Sequence, residues 1–166
     1  MRFYAVIVCL ALFAFPACNP FAPALDNESE SSGGLSDQRT IDGVFQNFQY
    51  AYTFKDTLVY GQLLAPDFTF IYTNYEKGTD LTWGRDEDMR STYGLFQTAQ
   101  SLDLVWNGIV TAVGDSLLTD VSRGFNLTVT FNPRDVIRVD GRVNLRLVRS
   151  SADAPWQIQR WKDDSF

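Results

Sequence analysis

Residues 45–70 read FQNFQYAYTFKDTLVYGQLLAPDFTF, a stretch in which the hydrophobic period changes from helical to extended. With the residues just before it, Ile41, Val44, Phe45, Phe48 and Tyr52 fall at i, i+3, i+4, i+7 and i+11, the apolar stripe of an amphipathic helix. Ser36 or Thr40 can cap its start, and Asp42 sits near the positive end of its dipole. A short second helix is expected from Asp56 to Leu64, with Leu58, Val59 and Leu63 turned inward. Pro66 ends it, because the residue before a proline avoids helical geometry. Phe68 to Thr73 alternates and is rich in aromatic and β-branched residues, which predicts a strand.

Downstream, a loop carrying Gly78 leads to Trp83-Gly84. A third helix is expected from about Asp86, with Met89, Tyr93 and Phe96 as its buried face. The acidic run Asp86 to Asp88 suits a helix N-terminus and is read as solvated. From Ser101 the pattern is strand and turn. Leu102, Leu104 and Trp106 alternate with Asp103, Val105 and Asn107, and Phe125, Leu127, Val129 and Phe131 form the clearest strand with one buried face. In VIRVDGRVNLRL, Asp140-Gly141 between two alternating runs predicts a type I′ hairpin. That turn would pair Val139 with Arg142, Ile137 with Asn144 and Asp135 with Arg146, and leave Val136, Val143, Leu145 and Leu147 inside. A last strand, Trp156 to Trp161, follows Pro155. Helices first and strands after them predict an α+β fold with helices packed on one face of a curved sheet.

The N-terminal end carries an address. Arg2 precedes an apolar run, Phe3 to Phe15, shorter than the ~20 residues that a membrane-spanning helix needs. This is the form of a secretory signal peptide. Phe15-Pro16-Ala17-Cys18 resembles the lipobox of bacterial lipoproteins, in which the cysteine is lipidated and becomes the mature N-terminus. Ala17 and Cys18 match; Phe15 and Pro16 depart from the usual residues. Cleavage after Ala22-Pro23-Ala24, giving a secreted soluble protein, is the competing expectation. A disulfide is disfavoured, since the partner of Cys18 would be Cys9, inside the signal. The expected organisation is a signal over 1–17, a flexible Pro-, Ser- and Gly-rich tether over 18–36 and a folded domain over 37–166. The expected location is the bacterial cell envelope, on the outer membrane or periplasmic face, with the membrane contacted only through the Cys18 lipid. A net charge of −6 argues against nucleic acid as a partner.

Three stretches together carry a family resemblance. FQNFQYAYTFKDTLVYGQLLAPDFTF looks like the opening of the nuclear-transport-factor-2-like (SnoaL-like) superfamily, WGRDEDM followed by LF is similar to the helix before its main sheet, and WQIQRWKDD resembles its closing strand. The resemblance covers about residues 37 to 163. It implies a cone: a strongly curved antiparallel sheet wrapping about three N-terminal helices, with a pocket between them. Members include isomerases, cyclases, dehydratases and epoxide hydrolases, ligand binders and association domains, so the fold leaves the activity open.

There is no histidine in the chain, which removes the commonest general base and a Ser-His-Asp triad. No cysteine cluster, phosphate-binding glycine loop or HExxH motif is present. No metal or cofactor is expected. Pocket candidates therefore come from position. Tyr52 lies on the stripe of the first helix, with a core tyrosine as the plain alternative. Tyr72 sits near a strand end, where its hydroxyl could reach a pocket mouth. Trp83 and Trp106 are wall candidates or simple packing. Arg138 and Arg160 alternate onto otherwise apolar faces, where a buried guanidinium needs a carboxylate or an anion. Asp56 and Asp67 are read as caps and turns, and Asp103 as solvated. The expected function is an exported, lipid-anchored domain that binds a small, largely apolar molecule or a protein partner without catalysis. One alternative is an acid/tyrosine enzyme working in the pocket. Another is a dimerising module using Ile137, Val139 and Val148 on the outer sheet face.

Overall fold

The first helix, α1 (Ile41–Phe54), begins where its stripe predicts. In the computed structural model, residues 34–74 and 78–165 are described, all within the compact unit Ser31–Phe166. The leader, Cys18 and the tether up to residue 33 lie outside the described residues. Thr40 is the cap of α1: its hydroxyl accepts from the Gly43 N–H at 3.0 Å. Gly43 is required by close approach, because a Cβ there would lie 1.9 Å from the Asp37 carbonyl oxygen. Lys55, in the left-handed region at φ 55°, ends the helix. Leu35 packs on the core, and Asn47 bonds the Ser36 backbone on both sides, at 2.7 and 2.9 Å.

The second helix, α2 (Thr57–Leu63), is capped by Asp56, which accepts from Leu58 and Val59 N–H at 2.9 and 3.0 Å. Its inward face differs from the expected one. Leu58 is 78% exposed, whereas Val59, Tyr60 and Leu63 are buried. A helix this short has its phase set by what it docks on rather than by its own period. Strand β1 (Leu64–Asn74) follows directly and contains Pro66. The expected loop before Trp83 is instead a strand, β2 (Thr79–Gly84), paired antiparallel with β1. Helix α3 (Arg85–Thr98) comes next. Its buried positions are Asp88, Thr92 and Phe96 at i, i+4 and i+8, while Tyr93 is 55% exposed.

Strands β3 (Ser101–Gly114), β4 (Leu118–Asn132), β5 (Asp135–Val148) and β6 (Gln157–Ser165) complete a six-stranded sheet in the order β2-β1-β6-β5-β4-β3. The sheet is mixed rather than wholly antiparallel: β1 and β6 run parallel. Its inner face packs Leu102, Leu104, Phe125, Val143, Leu145 and Ile158 against Phe45, Phe48, Tyr60 and Phe96 of the helices. Register shifts between Trp106 and Thr111 on β3 supply a bend, since each extra residue kinks and twists its strand. Among the described residues no helix is long and apolar enough to cross a membrane.

The Asp140-Gly141 hairpin does not form. β5 runs straight through it, with Asp140 opposite Asn126 and Gly141 opposite Phe125. Face parity explains why. A two-residue turn there would put Val139 on one face with Arg142, Asn144 and Arg146. A continuous strand puts it with Val143, Leu145 and Leu147. The turn lies instead at Pro133-Arg134, where the Asn132 side chain accepts from the Arg134 N–H at 2.9 Å. Val136 and Ile137 are consequently exposed, and Arg146 pairs with Asp120 rather than with Asp135.

Candidate functional site

Between α1, α3 and the inner face of the sheet lies a cavity of about 240 Å³. Aromatic rings make up about half of its wall. Trp83 on β2 stacks on Phe70 of β1 at 4.5 Å between centroids, and Trp161 of β6 meets Phe70 edge-on at 5.1 Å. Phe48 of α1 touches Trp161 at 5.3 Å, Trp106 at 5.5 Å and Tyr52 at 4.9 Å. Trp106 is fixed from behind by its indole N–H, which donates to the Phe45 carbonyl at 2.9 Å. The strand pattern delivers these rings, since alternate positions of β1, β3 and β6 face one side.

Two carboxylates line this apolar setting, and Asp88 is the buried one. Asp88, in the first turn of α3, is 4% exposed. The Tyr60 hydroxyl donates to its Oδ2 at 2.6 Å and the Trp83 indole N–H to its Oδ1 at 3.0 Å. Thr92, one turn further along α3, is buried and lines the same cavity. Burial pushes the Asp88 carboxyl above its ordinary range, and the two donors partly oppose that rise. Burial also pushes Tyr60 well up, with help from Tyr52 and Asp88. Tyr52 is raised by burial first, then by the charges of Asp88 and Asp163. Asp163 of β6 belongs to the same lining. The Trp161 indole N–H is buried without a hydrogen-bond partner among the described residues, an uncompensated cost on the order of 1–3 kcal/mol.

Of the residues singled out from sequence, Tyr52, Trp83 and Trp106 line the cavity. Tyr72 stands one layer behind, tilted against Trp83 at 5.4 Å. Arg138 is exposed on β5, and Arg160 lies on the opposite sheet face, 3.6 Å from Asp120. Both lie outside the cavity, because strand parity turns them away from it. Val139, expected outside, lines it. Asp88, read from sequence as solvated, is its central polar group, and Tyr60 and Trp161 were not singled out. The spacing Asp88, Thr92, Phe96 was the available signal. Among the described residues no group of three or more His, Cys, Asp or Glu could hold a metal ion.

No family model matches the chain, and no curated protein matches it. Solved structures do match. A conserved protein from Planctomyces limnophilus DSM 3776 superposes with a TM-score of 0.66 at 19% identity, over 78% of this chain and 96% of that one. A candidate scytalone dehydratase from Novosphingobium aromaticivorans DSM 12444 gives a TM-score of 0.66 at 15% identity, over 77% and 83%. An NTF2-like protein of unknown function in nutrient uptake from Rhodospirillum rubrum ATCC 11170 gives 0.61 at 13%, over 76% and 98%. Likeness at these identities establishes the fold. The chain has the α+β cone fold of these structures, some of which are described as NTF2-like.

Proposed function

We propose that this NTF2-like domain is an exported, lipid-anchored protein that binds a small, largely apolar molecule in the cone cavity. The observation that carries the binding is the wall itself: stacked and edge-on aromatic rings around about 240 Å³, with one buried carboxylate held at a defined point. A pocket with apolar walls and few, placed polar groups is the usual form of a small-molecule site. Native mass spectrometry of protein purified from an exporting bacterial host tests it. A copurified small molecule that is lost in Trp83→Ala is expected. An empty cavity, together with no change in tryptophan fluorescence across a panel of aromatic probes, refutes the reading. The anchor is supported by Arg2, the short apolar run and Ala17-Cys18. Incorporation of a labelled fatty acid that survives in Cys18→Ser would refute it.

A second reading is favoured by one contact. A buried carboxyl raised by desolvation and bonded to a tyrosine can exchange protons with a ligand. It would serve an isomerase, dehydratase or hydrolase. Deuterium exchange at the α-carbon of a ketone probe, followed by NMR and abolished in Asp88→Asn, would favour this reading. Exchange no faster than in buffer would leave the binding reading alone.

A further inference from the structure

Asp88 is hydrogen-bonded but not neutralised. Its two partners, Tyr60 and Trp83, are neutral donors, and neither lysine nor arginine is among the residues lining the cavity. A carboxylate can accept about four hydrogen bonds, so each oxygen keeps acceptor capacity after one. The surrounding lining is rich in aromatic rings. Aromatic faces carry the negative end of the ring quadrupole, which attracts cations and repels anions. The Phe70–Trp83 stack lies beside Asp88, because Trp83 itself donates to it. A cation already lies against the aromatic cluster: the Arg123 guanidinium, paired with Asp42 at 3.5 Å, is 4.7 Å from the Phe45 ring centroid and 6.0 Å from that of Trp106. Arg85, at the start of α3, donates to the Gly61 carbonyl at 2.9 Å, and neither it nor Arg90 lines the cavity.

We infer that the cavity selects organic cations: its ligand is an amine or quaternary ammonium group on an apolar body, the charge placed against Asp88 and the body against the Phe70, Trp83 and Trp161 rings. This rests on the ligand-binding reading above and narrows it. Asp88 alone supplies the charge the inference needs; Asp163 adds a second carboxylate to the same lining. Anionic ligands such as carboxylates and phosphates are disfavoured by both features. Neutral apolar molecules of the same shape fit the walls but leave the carboxylate without a counter-charge.

The test compares two probes of nearly identical shape, phenyltrimethylammonium and tert-butylbenzene, with the purified protein. Binding is read by calorimetry and by tryptophan fluorescence, since Trp83, Trp106 and Trp161 all line the site. The cation is expected to bind about tenfold or more tighter than its neutral isostere. In Asp88→Asn that preference should fall to about threefold or less, with the neutral probe bound about as before. The quaternary probe cannot titrate, so its preference should also shrink on acidification as Asp88 takes up a proton. Equal or tighter binding of tert-butylbenzene overturns the cation inference and leaves the cavity reading standing. Binding of neither probe overturns both. Should Asp88→Asn not fold, the wild-type comparison decides without it.

Discussion

Replacing Tyr60 by phenylalanine removes one oxygen from a fully buried side chain and leaves the ring packing in place. The lost contact is the 2.6 Å bond to Asp88 Oδ2. A hydrogen bond to a charged group contributes about 1.5–3 kcal/mol, whereas one between neutral groups contributes about 1 kcal/mol. The loss should therefore depend on whether Asp88 is ionised, and its sign can be worked out. Burial raises the Asp88 carboxyl above the unfolded value of 3.8, against the pull of the Tyr60 and Trp83 donors. The native state then holds a proton that the unfolded state has released, so stability falls as pH rises from 3.8 through the native value. Without the Tyr60 hydroxyl the carboxyl rises further, and that window extends upward. Each further unit adds about 1.4 kcal/mol to the penalty at neutral pH. Urea unfolding followed by tryptophan fluorescence should give a loss of about 2–3 kcal/mol near pH 7.5 and about 1 kcal/mol near pH 4. An equal loss at both values would refute the reasoning, because it would mean that the hydroxyl does not serve an ionised carboxylate.

Asp88→Asn should flatten the same pH profile: its stability, measured by urea unfolding, should change less between acid and neutral pH than that of the wild type. Gly43→Ala should destabilise by about 2 kcal/mol or more in thermal or urea unfolding, since a backbone carbonyl at 1.9 Å cannot rotate aside as a side chain would. Asp56→Ala removes the cap of α2 and should cost about 1 kcal/mol, measured the same way. Arg146→Ala, by contrast, should leave the urea midpoint nearly unchanged, because its pair with Asp120 is partly solvated and sits on the polar sheet face.

Helix α1 and strand β4 were legible because each has one apolar face that outlasts any local ambiguity. Ile41 to Tyr52 marks α1 and Phe125 to Phe131 marks β4 without reference to the rest of the chain. Elements with two competing signals were harder. Asp140-Gly141 has turn chemistry, yet the alternation from Val139 to Leu147 keeps its phase across it, and burial of that face outweighs the local preference. The neighbouring Asn132-Pro133 was an equally good turn signal with no phase conflict. The site was legible in its aromatic walls and hidden at its centre. An acid in the first turn of a helix is normally solvated, and nothing in DEDM tells which acid the helix will rotate inward. That choice belongs to Tyr60 and Trp83, which come from two other elements and meet Asp88 only in the folded chain.

The place of β6 in the sheet has a kinetic consequence. It is the last strand in chain order, yet it lies between β1 and β5 and carries the wall residue Trp161. Until it is made, β2-β1 and β5-β4-β3 are two separate ribbons, each with an unpaired inner edge. A growing or threading chain therefore has no enclosed cavity at any earlier length. The closing step joins residues far apart in sequence, as in the pairing of Phe70 with Trp161, so it belongs to the slow, non-local class of folding events. The two bare edges are also where a stalled chain would most readily pair with the wrong strand.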